Sequence, residues 1–247
     1  MAQCLPFCST NDIATVGDGT CDVLIVGLEG SGKSLLCRRL QTVGHDIINK
    51  KVGNFSSDFS AYTVTTNGIQ LTEVPCQAPN GATKLPFNSL ILREVGGQMS
   101  PLWPQYFEDC RMAIFVVDAA DAGAITPAVV ELFEMLQHPK MKNKPVCTIL
   151  NKQDQALVLS RQEIELVMHL ADLERVHVAG FMTLELSSIP NSGRADGTIV
   201  RDSIVTLLEW MVDNKCIALG YNAPSRVTVH QTASLFVPKW DVTAQVS

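Results

Sequence analysis

The feature that most constrains the fold is the octapeptide GLEGSGKS, residues 27–34, which lies between an apolar stretch and a stretch of helical period. It fits the pattern G-x-x-x-x-G-K-[ST]. Its glycines let the backbone curl so that successive N–H groups face one point, and the start of the following helix adds partial positive charge there. The sequence therefore predicts a strand, a phosphate-binding loop (P-loop) and a helix, in that order.

Two side chains of the P-loop have specific expected roles. Lys33 is placed to reach the β- and γ-phosphates of a nucleotide, and Ser34 to ligate Mg²⁺. A plain glycine-rich turn is the alternative, which the flanking strand and helix disfavour. The nucleotide-binding residues predicted in and just after the loop are Gly27, Glu29, Gly30, Ser31, Gly32, Lys33, Ser34 and Leu35.

The rest of the chain alternates short β-rich runs with longer stretches of helical period, which is typical of an α/β fold with a parallel sheet. Ser160 and Glu163 have the spacing of a capping box, which predicts the start of a helix. The predicted strands are 22–27, 69–74, 88–95, 112–118, 145–150 and 181–186, and the predicted helices are 33–42, 127–137, 161–174 and 199–213. The fold class is α/β, a P-loop NTPase with a mostly parallel six-stranded sheet flanked by helices.

Composition excludes several classes of protein. The net charge of −6 includes no basic block, so nucleic acid is not expected as a partner. Eight cysteines without a C-x-x-C pair indicate a reducing, cytoplasmic location. We expect no transmembrane segment, because no apolar run is long enough, and no myristoyl or prenyl signal, because Ala2 and the ending AQVS fit neither. Peripheral membrane contact stays open.

Three segments divide the chain. Residues 1–20 are polar and are predicted to be a flexible N-terminal segment. Residues 21–213 carry the α/β pattern and are predicted to form one domain, in which 75–87 is a long loop between two strands. Residues 214–247 contain strand-like pieces without helical period, and we predict an extension of unknown structure.

The tetrapeptide NKQD, residues 151–154, follows the buried strand at 145–150 and indicates which base is bound. Ligands of α/β sheets bind at the carboxyl ends of the strands. The carboxylate of Asp154 can accept hydrogen bonds from the ring N–H and the amino group of guanine, and adenine has neither donor on that edge. We therefore expect GTP and GDP as ligands. An ATP-using kinase or ATPase is the distant alternative.

Two further stretches carry a resemblance to a known family. The segment EVGGQ, residues 94–98, resembles the DVGGQ of the ADP-ribosylation-factor (ARF) and ARF-like small GTPases, and PLWPQYF, residues 101–107, is similar to the family's P-L-W-x-x-Y-F. The acid at Glu29 also resembles the family's P-loop. The chain between Gln98 and Trp103 is two residues shorter than in most members. The resemblance covers roughly residues 21–213 and implies the small G-protein fold.

The resemblance also implies roles for individual residues. Gly97 would offer its amide to the γ-phosphate and Gln98 would orient the attacking water, so that Gln98, Lys33 and Gly97 form the catalytic set. Thr66 matches the switch I threonine that senses the γ-phosphate, although Thr63 and Thr65 are close. The implied metal ligands are Ser34, Thr66 and Glu94. The implied base-binding residues are Asn151, Lys152, Asp154, Ser187 and Ser188.

Two acids depart from the family pattern. Glu94 replaces the aspartate that usually holds Mg²⁺ through water, and Glu29 adds a carboxylate near the γ-phosphate. The predicted function is a nucleotide-dependent switch that hydrolyses GTP slowly, recruits effectors in the GTP state and responds to an exchange factor and a GTPase-activating protein. The family implies vesicle or ciliary trafficking. The alternative is a GTP-binding interaction module with little or no hydrolysis because of these two acids.

Trp103 and Tyr106 are predicted either to bind effectors or to pack against the sheet.

Overall fold

The computed structural model describes residues 21–49, 62–77, 85–155, 159–189 and 197–222. The predicted N-terminal segment 1–20, the middle of the loop 75–87 and the extension beyond residue 222 lie outside these ranges.

Six strands form one sheet in the order β2-β3-β1-β4-β5-β6, and β2 alone runs antiparallel to its neighbour. The strands are β1 Cys21–Val26, β2 Ile69–Pro75, β3 Ser89–Val95, β4 Cys110–Asp118, β5 Val146–Asn151 and β6 Phe181–Glu185. Every residue of β1 and β5 is buried, as expected for strands covered on both faces. The predicted mostly parallel six-stranded sheet is therefore confirmed.

Helices cover both faces of the sheet. They are α1 Lys33–Ile48, α2 Ala122–Gln137, α3 Arg161–Met168, α4 Leu170–Val176 and α5 Gly197–Ala218, with a 3-10 helix at Gly97–Tyr106. Successive residues of a strand point to opposite faces. Val23 and Ile25 therefore pack with α1 and α5, whereas Leu24 and Val26 pack with α2, α3 and the 3-10 helix. The apolar residues thus form two cores, one on each face.

The structure corrects several predicted helix bounds. The predicted helix 161–174 is two helices, because His169 adopts a left-handed conformation with φ 51° and ends the first of them. The second helix starts at residue 122 rather than 127, since Asp121 caps it by accepting from Gly123 N. The last helix continues five residues past 213, to Ala218. The capping box of Ser160 and Glu163 is confirmed.

A largely buried ion pair joins the first strand to the last helix. Lys215 Nζ lies 2.7 Å from Asp22 Oδ2 and donates to the Ser89 carbonyl at 2.9 Å. The same Asp22 oxygen accepts from Ile91 N at 2.8 Å, and Arg111 lies 3.4 Å from the other oxygen. Asp22 therefore holds β1, β3, β4 and α5 together where these three parallel inner strands begin.

The described ranges contain no membrane-spanning helix and no disulfide. None of their helices combines the length and the apolar character that crossing a bilayer needs. The six cysteines in these ranges are free thiols, and five of them are buried.

Candidate nucleotide-binding site

The P-loop connects β1 to α1 and closes tightly on the end of β5. Gly32 has φ +93°, and a Cβ there would lie 2.3 Å from Asn151 Nδ2. A residue with a side chain would therefore be strained and would also collide with Asn151. The glycine predicted at this position of the motif is thus required by its contact with β5 as well as by the turn.

Lys33 is buried at the start of α1 and points back into the loop. Its ammonium donates to the carbonyls of Gly27 and Leu28, at 2.9 Å each. Burial lowers the pKa of Lys33 below its ordinary value, and the nearby charge of Glu94 partly opposes this shift. These two carbonyls hold the positive charge at the centre of the loop.

Three oxygen atoms from distant parts of the chain meet beside Lys33. Ser34 Oγ lies 2.6 Å from Glu94 Oε1 and 2.9 Å from Thr66 Oγ1, and Thr66 Oγ1 lies 3.1 Å from the same Glu94 oxygen. Glu94 is only 1% exposed, and its other oxygen, Oε2, has no hydrogen-bond partner among the described residues. Thr66 is therefore the threonine that meets the P-loop serine.

A cavity of about 230 Å³ opens next to these oxygens. Its lining contains the P-loop, the segment before β2 and the start of the 3-10 helix. The lining residues are Glu29, Gly30, Gly32, Lys33, Ser34, Thr63, Val64, Thr65, Thr66, Glu94 and Gly97. Leu35, which was also predicted to bind nucleotide, has its side chain in the core.

The 3-10 helix begins against the P-loop. A Cβ on Gly97 would lie 2.2 Å from Glu29 N, so only glycine permits this approach of the two backbones. Gln98 Nε2 donates to Glu29 Oε2 at 2.8 Å. Hydrogen bonds from Gln98 and Thr65 hold the pKa of the Glu29 carboxyl below its ordinary value. The glutamine predicted to orient water is thus held by a P-loop acid.

The two aromatic residues of the 3-10 helix differ in exposure. Trp103 is 1% exposed, packs edge-to-face on Phe115 with ring centroids 6.1 Å apart, and donates from Nε1 to the Gly96 carbonyl at 3.3 Å. Tyr106 is partly buried and stacks with the Arg93 guanidinium 5.6 Å from its ring. Packing against the sheet is therefore the correct alternative for Trp103.

The predicted base-binding residues cluster with one another, and none of them lines the cavity. Asn151 at the end of β5 donates from Nδ2 to the Ser31 carbonyl at 2.7 Å, and its Oδ1 accepts from Ser188 N and Oγ. Asp154 accepts a hydrogen bond from Ser187 Oγ. The side chain of Asn151 thus connects the P-loop to the loop after β6, and Asp154 makes a second contact with that loop.

Lys152 has a partner that sequence analysis did not identify. It adopts φ 67°, and its ammonium lies 2.6 Å from Asp118 Oδ2. Asp118 is the last residue of β4. Its place at the carboxyl end of a central parallel strand is the signal that identifies it, because ligands of such sheets bind there. The ion pair fixes the lysine stem beside the residues predicted to bind the base.

The sheet order, the P-loop and the flanking helices define a P-loop NTPase with the small G-protein fold. The model of the "ADP-ribosylation factor family" matches residues 13–213, and the chain belongs to this family.

Relatives and one solved structure agree with this assignment. The chain is 29% identical over 172 residues to "ADP-ribosylation factor-like protein 16" of Homo sapiens. The aligned region covers 70% of this chain and 80% of that protein. It is 28% identical over 193 residues to "ADP-ribosylation factor-like protein 1" of Saccharomyces cerevisiae, and this aligned region covers 77% of this chain and 85% of that protein. The Arl6 BBS3 small GTPase from Trypanosoma brucei, solved with the nucleotide analogue GppNp, has a TM-score of 0.52 at 18% identity and covers 76% of this chain and 98% of that one. The last likeness supports the fold.

Proposed function

We propose that this protein is a guanine-nucleotide-dependent switch that binds GTP and GDP with Mg²⁺, hydrolyses GTP slowly and recruits effectors in the GTP state. The observation that carries the proposal is the meeting of Ser34, Thr66 and Glu94 beside the ammonium of Lys33. These side chains come from the P-loop helix, the segment before β2 and the end of β3. A ligand bound there would contact the segment before β2 and would lie next to the start of the 3-10 helix, where Gly97 lines the same cavity.

The donor set fits Mg²⁺. Two hydroxyls and one carboxylate are hard oxygen ligands, and the buried oxygen Glu94 Oε2 lacks a partner among the described residues. Ser34, Thr66 and Glu94 would hold the ion, directly or through water. When bound, Mg²⁺ supplies positive charge to the β- and γ-phosphate oxygens.

Lys33, Gly97 and Gln98 would bind the phosphates and position the attacking water. Lys33 uses two of its three ammonium donors on loop carbonyls, and the third would donate to a phosphate oxygen in the cavity that Lys33 lines. Gly97 would donate its amide to the γ-phosphate, and Gln98 would orient the attacking water once it leaves Glu29. Hydrolysis is expected to be slow until an activating protein adds positive charge.

Guanine selectivity is expected from Asp154. We expect Asp154→Asn to weaken GTP binding by about 10- to 100-fold, the effect of a lost hydrogen bond to a charged group. The same variant should gain affinity for XTP, because an asparagine amide can donate to the extra carbonyl of xanthine. Titration with fluorescent GTP, XTP and ATP measures this, with the exposed Asp172→Asn on α4 as control. Equal binding of ATP and GTP by the unaltered chain would contradict the proposal.

A GTP-binding interaction module with little hydrolysis is the second candidate, and Glu29 favours it. Its carboxylate takes the Gln98 amide and brings negative charge to the cavity, where it opposes a γ-phosphate. Phosphate release from labelled GTP in Mg²⁺ separates the candidates. Release above the rate of Gln98→Leu supports the enzyme, and no release above that background supports the module.

The partners we propose are an exchange factor, an activating protein and effectors that contact residues 62–67 and 97–106. We place this activity in vesicle or ciliary trafficking by analogy with the family, and in the cytoplasm, where the free thiols would stay reduced. Affinity capture with the GTPγS-loaded and GDP-loaded protein tests this. Partners that bind both forms equally would argue against a switch.

A further inference from the structure

Glu94 projects from a stretch of backbone that is held on both sides. It is the second-to-last residue of β3 and pairs in register with Ile25 of β1 and with Gln70 of β2. Its side chain is buried and reaches the two hydroxyls beside the P-loop. The position of the carboxylate is therefore set by the length of its own side chain, and Glu94 lines the same cavity as Lys33.

The three oxygens that meet there form a triangle with nearly equal sides. Ser34 Oγ lies 2.9 Å from Thr66 Oγ1 and 2.6 Å from Glu94 Oε1, and the third side, from Thr66 Oγ1 to Glu94 Oε1, is 3.1 Å. Mg²⁺ binds oxygens at about 2.1 Å in octahedral geometry, so that neighbouring ligand oxygens lie about 2.9 Å apart. The triangle therefore has the dimensions of one face of an Mg²⁺ octahedron.

Hydrogen bonds give similar spacings, so the distance from an ion to the carboxylate decides between direct binding and binding through water. An ion about 2.1 Å from both hydroxyl oxygens of this triangle lies at most about 4 Å from Glu94 Oε1. A water between the ion and the carboxylate requires a separation of about 4 Å. An ion directly behind both hydroxyls, on the side away from Glu94, just meets that requirement. Every other position brings the ion closer to the carboxylate than a bridging water allows.

The second oxygen of the carboxylate supports direct binding as well. Glu94 Oε2 is buried and has no hydrogen-bond partner among the described residues. A buried carboxylate oxygen without a donor or a cation is unfavourable. The Lys33 ammonium donates to the carbonyls of Gly27 and Leu28 rather than to this oxygen. A cation bound to the carboxylate would remove the cost of burying it.

We propose that Glu94 binds Mg²⁺ directly, as an inner-sphere ligand in a position otherwise held by water. This inference rests on the proposed function and specifies how its metal site is built. Glu94 on β3 and Ser34 on α1 would stay on the ion with either nucleotide, because both belong to regular elements. Thr66 lies in the segment before β2 and would join them only when a γ-phosphate is bound. The nucleotide-dependent movement of residues 62–67 is therefore retained.

The number of water molecules on the ion tests this inference. Mn²⁺ has the same preference for octahedral oxygen ligands, and the broadening of its electron paramagnetic resonance lines in ¹⁷O-enriched water counts the waters bound to it. In the GDP complex of the full chain, Ser34, Glu94 and one phosphate oxygen should leave about three of the six positions to water. A carboxylate that acts through water would leave about four.

Glu94→Ala provides the comparison. The Mn²⁺–GDP complex of this variant should bind one more water than that of the unaltered chain, because a methyl group cannot ligate the ion. Glu174→Ala, at an exposed glutamate of α4, is the control and should bind as many waters as the unaltered chain. If Glu94→Ala does not fold, the count in the unaltered chain still decides between the two arrangements.

Two outcomes would overturn the inference, and they differ from a failure of the proposed function. The first is an unaltered complex that holds about four waters. The second is a Glu94→Ala complex that gains none. Guanine nucleotide is still bound in both cases, which leaves the proposed function intact. Absence of nucleotide binding, in a titration of the same unaltered sample, would instead overturn the proposed function and this inference together.

Discussion

Asn151 Nδ2 donates a hydrogen bond to the Ser31 carbonyl at 2.7 Å and so joins the end of β5 to a P-loop that is 120 residues away in sequence. The other end of the same amide accepts from Ser188 N at 3.2 Å and from Ser188 Oγ at 3.0 Å. Asn151 is 1% exposed. One buried side chain therefore fixes the phosphate end and the base end of the site relative to each other.

Replacing the donor in Asn151→Asp should destabilise the fold. The new carboxylate oxygen would face the Ser31 carbonyl, which loses its donor, so that two buried acceptors would meet without a hydrogen between them. We expect the free energy of unfolding to fall by about 2–3 kcal/mol. Urea denaturation measures this change, with Asn88→Asp at an exposed position as control. Equal stability of the two variants would mean that Asn151 does not join the loops.

Glu94→Gln should weaken the Mg²⁺ dependence of nucleotide binding. The amide can still accept from Ser34 and Thr66, but it no longer offers an anionic oxygen to the ion. Changes next to metal ligands lower metal affinity by about 10- to 100-fold. Nucleotide dissociation rates across a Mg²⁺ titration measure the effect, and Glu94→Asp should lie closer to the unaltered protein. A Mg²⁺ midpoint unmoved in Glu94→Gln would contradict a metal role for this acid.

Lys144→Met should loosen the chain where the 3-10 helix joins β4. The Lys144 ammonium donates to the carbonyls of Phe107, Glu108 and Cys110, and methionine leaves these acceptors without that donor. We expect a loss of about 1–3 kcal/mol in the free energy of unfolding. Thermal or urea denaturation checks it. The exposed Lys142→Met should change little, and an equal loss in both variants would count against this anchoring contact.

Alkaline pH should destabilise the fold through its buried thiols. Burial raises the pKa of Cys21 from 9.0 to about 12, so the folded protein keeps a proton that the unfolded chain releases. The contribution of Cys21 is therefore complete below pH 9 and is lost as pH rises from 9 toward 12, at up to ~1.4 kcal/mol per pH unit.

Urea denaturation between pH 8.5 and 10.5, a window of about two units around the ordinary thiol pKa, tests this. The slope of stability against pH should be shallower in Cys21→Ala than in the unaltered chain. Leu24→Ala, in the same core cluster, should lower stability at every pH without altering the slope. Identical slopes in the unaltered chain and Cys21→Ala would show that the thiol ionises equally in both states.

The six strands could be predicted from the sequence because their apolar runs are short and bounded by turn residues. The P-loop could be predicted because its motif is a single continuous stretch of residues. The 3-10 helix Gly97–Tyr106 was not predicted, since Pro101 and Pro104 disrupt helical period. The break at His169 was missed because apolar residues such as Met168 and Leu170 continue across it, while the backbone reverses there through a left-handed residue.

The candidate site likewise combines features that the sequence predicts with features that only the structure shows. Its residues fell in recognisable motifs, but the pairings among them are long-range. The contact of Glu29 with Gln98 spans 69 residues, and Asp118 and Lys152 are 34 residues apart. Such pairs depend on strand order and on side-chain reach, and no local pattern encodes either of them. The three-dimensional arrangement was needed to find which acid holds which donor.

The pairing of Asp22 with Lys215 has a consequence for how the chain enters and leaves the domain. Because the second residue of β1 bonds the last part of α5, the start of the first strand and the end of the last helix lie side by side. The chain therefore enters the domain at Cys21 beside the last turn of α5. A change at either residue would therefore act on the first strand and the last helix at once.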